Sequence, residues 1–337
     1  MTVPDSPAAL EVDLLLVGAG PVGLYGAYYA GVRGLRTAVV DSLPEPGGQI
    51  TALYPEKPIF DVAGFPSVRG RDLVDGLVAQ AAQYDPAYLL GDPAVSLDEA
   101  PDGRLVVRTA GGSTVVCGAV VLTGGIGTFT PRPLPAGEEF LGRGLAYFVP
   151  QPADYAGADV VIVGGGDSAC DWALALHGTA RSVTVVHRRK AFRAHAAAVA
   201  AMHRCAEVLV DAEVTSVLGG VVVDAVEVTV KGDVPRVLPC QRVVAALGFL
   251  ADLGPVREWG LQLHDNRHVV VDTRMRSTRA RVYAAGDITD YDGKVRLISV
   301  GFGEVATAVN NAAVELDPQA QLFPGHSTDA APVPVPV

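Results

Sequence analysis

An α/β chain of two parallel-sheet units, the second inserted into the first, is the fold class that three observations predict. Two strand–glycine–helix signatures occur within 337 residues. Each is followed by a hairpin pattern and one more apolar strand. A final strand-and-helix pattern near the C-terminus belongs to neither copy, and it is most simply returned to the first unit.

The first signature is Val17-Gly18-Ala19-Gly20-Pro21-Val22-Gly23, after the apolar run Leu14-Leu15-Leu16. The second is Val163-Gly164-Gly165-Gly166-Asp167-Ser168-Ala169, after Val160-Val161-Ile162. In such a motif the first Gly makes a tight turn and the second lets backbone approach a phosphate. The third small residue packs helix on strand, and the helix N-terminus faces the anion. Both units are therefore expected to be Rossmann-like. Two such sites imply two dinucleotides and electron transfer between them.

The residue at the end of the next strand distinguishes the two sites. The position 23 residues beyond Gly18 is Asp41, at the end of Thr37-Ala38-Val39-Val40. An acid there accepts from a ribose 2′-hydroxyl. The position 23 residues beyond Gly164 is His187, with Arg188, Arg189 and Arg193 after it. Guanidinium forks suit a 2′-phosphate that a carboxylate would repel. FAD is expected at the first site and NADPH/NADP⁺ at the second, with a solvated arginine loop as the alternative.

Composition agrees with a soluble enzyme. The chain is 49% hydrophobic and 19% charged, enough for two cores. No apolar run reaches the roughly 18 residues needed to cross a bilayer, so no membrane segment and a cytoplasmic location are expected. A net charge of −11 argues against nucleic acid and anionic membranes as partners. Cys117, Cys170, Cys205 and Cys240 include no C-x-x-C pair, which excludes a local redox dithiol or zinc knuckle.

The first unit continues through Leu105-Val106-Val107, a Gly111-Gly112 turn and Thr114-Val115-Val116, then an apolar strand Ala119–Leu122. The second continues through Val214–Val217, Gly219-Gly220, Val221–Val230 and Arg242–Ala246. Val282-Tyr283-Ala284-Ala285-Gly286-Asp287 reads as a strand ending in a Gly-Asp turn, and Gly301-Phe302-Gly303-Glu304 leads into a helix through Ala306, Val309 and Ala313. The expected domains are residues 1–122 with 250–337 for FAD and 123–249 for NADPH. The tail Ala331–Val337, with its alternating prolines, is expected to be extended and mobile.

In this order the motifs resemble the low-molecular-weight thioredoxin reductase architecture. Within it they look most like the thioredoxin-reductase-like ferredoxin–NADP⁺ reductases. The segments that carry the likeness are Gly47–Lys57, Asp61–Pro66, Gly164–Ala169 with Asp171–Ala173, His187–Arg189 with Phe192–His195, Gly301–Glu304 and His326-Ser327-Thr328. True thioredoxin reductases carry a C-x-x-C shortly before the second signature; here that stretch is Ala146-Tyr147-Phe148-Val149. Without a dithiol, electrons must leave the flavin directly. Bacillithiol disulfide reductases are also similar, but they carry a Cys where this chain has Val22.

The resemblance implies residue roles. Gly18, Gly20, Pro21, Gly23 and Asp41 would hold FAD, with Gly48, Gln49, Phe129 and Asp287 as further contacts. Tyr54 would stack on one flavin face, although from sequence alone it reads equally as a core tyrosine. Asp61 would lie near the flavin, with a turn or capping role as plausible. His326 and Thr328 would cover the other face. At the second site Gly164, Gly166, Asp167, Ser168, His187, Arg188, Arg189 and Arg193 would hold NADPH. His195 reads better as a surface or phosphate-site residue than as an acid–base group, because the cofactors do the chemistry.

The resemblance also implies a homodimer and a one-electron partner, ferredoxin or flavodoxin. Such partners are acidic, so a local basic patch drawn from Lys57, Arg69, Arg71 or Lys294 would be needed. The alternatives are a thiol/disulfide or quinone reductase, or an FAD/NADP(H) redox sensor.

Overall fold

The structure, a computed structural model, describes residues 9–326. Thr328 and the tail from Ala331 onward lie outside the described residues. The chain divides into two compact units: residues up to Thr128 with those from Ala251, and Phe129–Leu250. The sequence places the cuts after residues 122 and 249.

In the first unit the strand Leu10–Val17 lies between Thr37–Asp41 and Thr114–Leu122, parallel to both. Leu14, Leu15 and Leu16 are all fully buried. An unbroken apolar run is what a parallel strand needs when both its faces are covered. Ala87–Leu90 extends the sheet on one side, and Leu105–Thr109 and Ala94–Glu99 extend it on the other. Val282–Ala284 also pairs in parallel with Thr114–Leu122, which brings the C-terminal segment back into the first sheet.

The sequence pattern splits residues 114–122 into two strands, but they form one continuous strand. Gly118 in its middle is not a break. A Cβ there would meet Leu316 Cδ2 at 2.4 Å, so the glycine marks where the last helix packs closely on the sheet. That helix, Ile298–Leu316, buries Gly301, Glu304, Val305, Ala308, Val309, Ala312 and Ala313, spaced as one helical face. Glu304 is the only charged residue in this stripe.

The second unit has a five-stranded parallel sheet in the order Leu145–Ala146, Arg242–Ala246, Asp159–Gly164, Ser182–His187, Glu207–Val210. An antiparallel meander packs with it, made of Ala212–Gly219, Val223–Val230 and Arg236–Pro239. The third of these strands is not evident from the sequence pattern. Val214, Val226 and Val228 of the meander share one core with Val161, Val163 and Val243 of the sheet.

Both chain crossings are pinned within their own units. Thr128 Oγ1 donates to the Asp252 carbonyl at 3.1 Å, and Arg132 N donates to the Gly248 carbonyl at 2.9 Å.

Candidate functional site

The turn between Val17 and the helix Pro21–Val32 uses three glycines in three ways. Gly18 has φ +120°, and a Cβ there would lie 2.5 Å from the Thr123 carbonyl oxygen. At Gly23 a Cβ would lie 1.8 Å from the Gly18 carbonyl oxygen, so helix and turn are in direct contact. At Gly20 a Cβ would meet nothing within 4 Å. Packing within the protein does not demand this glycine; it leaves bare backbone at the helix N-terminus. Pro21 opens the helix, and no side chain caps it. The first-turn amides thus carry no side-chain cap, an arrangement that fits a pyrophosphate.

Asp41 is held by two backbone amides. Its Oδ2 accepts from Ala19 N at 2.5 Å, and its Oδ1 accepts from Leu43 N at 2.8 Å. Burial pushes its carboxyl above the usual range, and the Leu43 and Ala19 amides oppose that rise. The acid therefore clamps the glycine turn from the neighbouring strand.

Other expected contacts converge on the same turn. Gly47 N donates to the Ala19 carbonyl at 2.8 Å, and a Cβ on Gly48 would come within 3.0 Å of Gly20 Cα. Gln49 opens the short helix Gln49–Leu53, with its Nε2 3.3 Å from where a Gly125 Cβ would stand. Tyr54 ends that helix, half-buried. Burial pushes its phenol up, and the Asp287 and Asp61 carboxylates push it further, so these three residues share one neighbourhood. Asp61 is itself exposed. Ser299 Oγ donates to its carbonyl at 3.0 Å and accepts from Ala63 N at 3.0 Å, tying the segment to the last helix.

Asp287 comes directly after Gly286, whose φ is +83°. Burial raises its carboxyl; Lys294 and Arg296 pull it down, and Glu304 raises it. Around this turn lies a cluster that sequence reasoning misses. Glu304 Oε2 accepts from Gly286 N at 2.7 Å, and Oε1 accepts from Tyr291 OH at 2.6 Å and Lys294 Nζ at 2.5 Å. The Lys294 and Glu304 side chains are only 3% and 5% exposed. Lys294 therefore cannot serve in a surface basic patch, contrary to the expectation from sequence. Arg69 and Arg71 are exposed, but both pair with Glu56, and Arg69 also pairs with Asp72.

His326 is exposed, with its ring 5.2 Å from Phe323 and nearly edge-on. The segment leading to it is held by Arg33, which donates to the Gln321 carbonyl at 2.8 Å. The backbone of Phe129 belongs to the strand Thr128–Pro131; its side chain is outside what is described.

The second unit repeats the glycine design. A Cβ on Gly164 would meet the Ala246 carbonyl oxygen at 2.3 Å, whereas one on Gly166 would meet nothing within 4 Å. Ala169, in the place of Gly23, is fully buried. Asp167 and Ser168 open the helix Asp167–Leu176, which has no side-chain cap at Gly166. Asp167 Oδ1 accepts from His195 N at 3.0 Å, and Arg193 N donates to the Gly165 carbonyl at 2.8 Å. These bonds hold the 188–195 loop beside the turn. His195 itself is exposed. Arg188, Arg189 and Arg193 are exposed, but His187 is buried, with Nε2 3.1 Å from the Ala191 carbonyl oxygen. The structure thus separates His187, under the turn, from the three arginines beside it.

The cysteines are dispersed. All four are free; Cys117, Cys170 and Cys240 are buried, and Cys205 is partly exposed. No helix among the described residues is long and apolar enough to cross a membrane.

Comparison with known proteins agrees with this geometry. A ferredoxin–NADP reductase of Salinispora tropica is 65% identical over 95% of this chain and 99% of its own length. Another, from Thermus thermophilus, is 46% identical over 96% and 98%. Among solved structures, the thioredoxin reductase of T. acidophilum superposes with a TM-score of 0.77 at 24% identity, over 92% of this chain and 99% of that one. The bacillithiol disulfide reductase of Staphylococcus aureus reaches 0.73 at 17% identity, over 90% and 98%. At such identities these two likenesses establish the two-domain α/β fold alone. The pyridine nucleotide-disulphide oxidoreductase signature runs from residue 12 to residue 312, through both glycine turns and most of the last helix. The chain belongs to the pyridine nucleotide-disulphide oxidoreductase family.

Proposed function

We propose that this chain is an FAD-dependent ferredoxin or flavodoxin–NADP⁺ reductase. The observation that carries the reading is the contrast between its two bare glycine turns. One is closed by the acid Asp41; the other is flanked by exposed Arg188, Arg189 and Arg193. Relatives at 57–65% identity that bear the ferredoxin–NADP reductase name support it. The sequence has no C-x-x-C, so a disulfide substrate would find no dithiol to take electrons from the flavin.

The first site holds FAD and the second NADP(H). Gly18, Gly20, Pro21 and Gly23 present helix amides to the FAD pyrophosphate. Asp41 accepts from the adenosine ribose while fixing Ala19. Gly48, Gln49, Tyr54, Asp61 and Asp287 form the flavin end, with Phe129, His326 and Thr328 assigned there on the family resemblance. Gly164, Gly166, Asp167 and Ser168 receive the second pyrophosphate, and the arginines take the 2′-phosphate. When bound, the cofactors supply hydride exchange between nicotinamide and flavin, and single-electron exchange with the carrier. The reading extends to a homodimer on the family resemblance, and to a cytoplasmic location on the sequence expectation. For the acidic carrier, Lys57, Arg69 and Arg71 remain as the basic contacts, with the charge of the two arginines already offset by Glu56 and Asp72.

The test uses purified protein reconstituted with FAD. NADPH-driven cytochrome c reduction is measured with and without a small iron–sulfur ferredoxin. Strong dependence on ferredoxin is expected. Flavin reduction by NADPH with no ferredoxin-dependent turnover would overturn the proposed partner while leaving the cofactor sites standing.

A further inference from the structure

We infer that Glu304 is a positioning residue for the flavin: it presets the Gly286–Asp287 turn against the first glycine helix before the cofactor binds. The inference rests on the assignment of FAD to the first site.

Both backbone polar groups of Gly286 are fixed. Its N–H goes to Glu304 Oε2 at 2.7 Å, and its carbonyl accepts from Thr289 Oγ1 at 2.8 Å and Thr289 N at 3.1 Å. The turn that presents Asp287 thus has little freedom left. In addition, the turn, the last helix and the glycine helix meet at Val22. A Cβ on Gly286 would lie 3.2 Å from Val22 Cγ2, and one on Gly301 would lie 2.5 Å from the same atom. Val22 is in the first turn of the helix whose amides face the pyrophosphate. Glu304, one turn along from Gly301, therefore couples the flavin end of the site to its phosphate end.

The burial of Glu304 is costly unless its charge is met. Lys294 and Tyr291 meet it on Oε1, at 2.5 and 2.6 Å, leaving Oε2 for Gly286. A buried ion pair of this kind is weak evidence for stability, and in some systems such a pair fixes conformation instead. Here the conformation kept is that of the turn at the flavin. The Lys294 charge also acts on Asp287, opposing the rise that burial gives its carboxyl.

The test compares three variants as apoproteins titrated with FAD, with visible-region circular dichroism of the bound flavin as a second readout. Glu304→Gln is expected to weaken FAD binding about tenfold or more and to alter the flavin dichroism, because the charged acceptor of Gly286 N, Tyr291 OH and Lys294 Nζ is lost. Tyr291→Phe removes one donor to the same carboxylate and is expected to give a smaller loss, about three-fold. Glu315→Gln is the control. Glu315 lies on the same helix but accepts from Tyr283 OH and Arg276. It is expected to lower the melting temperature and leave FAD affinity within about twofold, since it bonds to Tyr283 and Arg276 and not to Gly286. Wild-type affinity and dichroism in Glu304→Gln would overturn the inference. So would a loss in Glu315→Gln equal to that in Glu304→Gln, because the effect would then be global. If wild-type apoprotein takes up no FAD, the site assignment falls as well; if it binds and the variants match it, only the positioning role falls.

Discussion

The imidazole of His187 lies directly against Gly165: a Cβ added at residue 165 would stand 2.1 Å from His187 Cε1. The ring is also flanked by Phe192, with centroids 4.7 Å apart. The ring therefore has no easy retreat. Gly165 does not have a positive φ, so its glycine is required by space and not by backbone strain.

Gly165→Ala should push His187 or the whole second turn out of place, at a cost of about 1–3 kcal/mol. Because this clash is purely steric, it should be relieved from the other side. NADPH affinity should fall about tenfold or more in Gly165→Ala, with FAD content unchanged, and should recover in the double variant with His187→Ala. Titration with NADPH, read by flavin reduction, checks both. Failure of the double variant to recover would mean that the ring is not what the methyl meets.

Arg188 and Arg189 are exposed beside the second turn, directly after His187, the counterpart of Asp41 at the first. Exposed guanidinium groups with no role in packing should be removable without harm to the fold. Changing both to Ala should raise the Michaelis constant for NADPH by about ten- to a hundred-fold and that for NADH by no more than about two- to three-fold. Equal losses for both nucleotides would remove the 2′-phosphate assignment.

Legibility in the sequence tracks the range of the interactions involved. The glycine turns could be read directly because each depends on a few consecutive residues. Gly18, Gly20 and Gly23 fall within six consecutive residues, although the Thr123 carbonyl that Gly18 clears is distant. Asp41 could be placed by counting, but its bond to Ala19 N spans 22 residues and leaves no local trace. Lys294 looks like a surface cation in the sequence because its segment, Asp292-Gly293-Lys294, is polar. Its partner Glu304 is hidden in an otherwise apolar helical face ten residues later. Gly118 looks like a strand break because nothing nearby announces that Leu316 packs on it from the last helix. Contacts across the fold, not local propensity, decided each of these.

Arg181 and Asp159 give the second unit an acid-sensitive joint. Arg181 Nε donates to Asp159 Oδ1 at 2.9 Å, and Ser182 Oγ donates to the same oxygen at 2.7 Å. These bonds hold the Asp159 carboxyl down to about 2, from an ordinary 3.8. A depressed carboxyl stabilises the fold above its unfolded value and loses that contribution as pH falls through its folded value. The pair is largely at the surface, so its worth should not exceed about 1 kcal/mol. Arg181→Ala should therefore be slightly less stable than wild type at pH 7. The gap should stay constant down to about pH 4 and close as pH falls through about 2, where Asp159 becomes protonated in the fold. Urea melts across that range measure it; a gap independent of pH would show that Arg181 acts through packing.

The thiols bear most directly on the chemistry. A disulfide reductase needs at least one accessible thiolate. Here burial pushes the Cys117 and Cys240 thiols up to about 12 and that of Cys170 up to about 11. Cys205 is raised by burial as well, opposed by Arg204, and it alone is partly exposed. Native protein treated at pH 8 with a thiol-reactive chromogen should release no more than about one equivalent quickly. The others should react only on unfolding, because the reactive thiolate is scarce and covered. Complete modification of Cys205, or Cys205→Ser, should leave NADPH-driven ferredoxin reduction unchanged. Loss of that activity on Cys205→Ser would reopen a thiol route from the flavin, and with it the disulfide-reductase reading that the missing C-x-x-C now opposes.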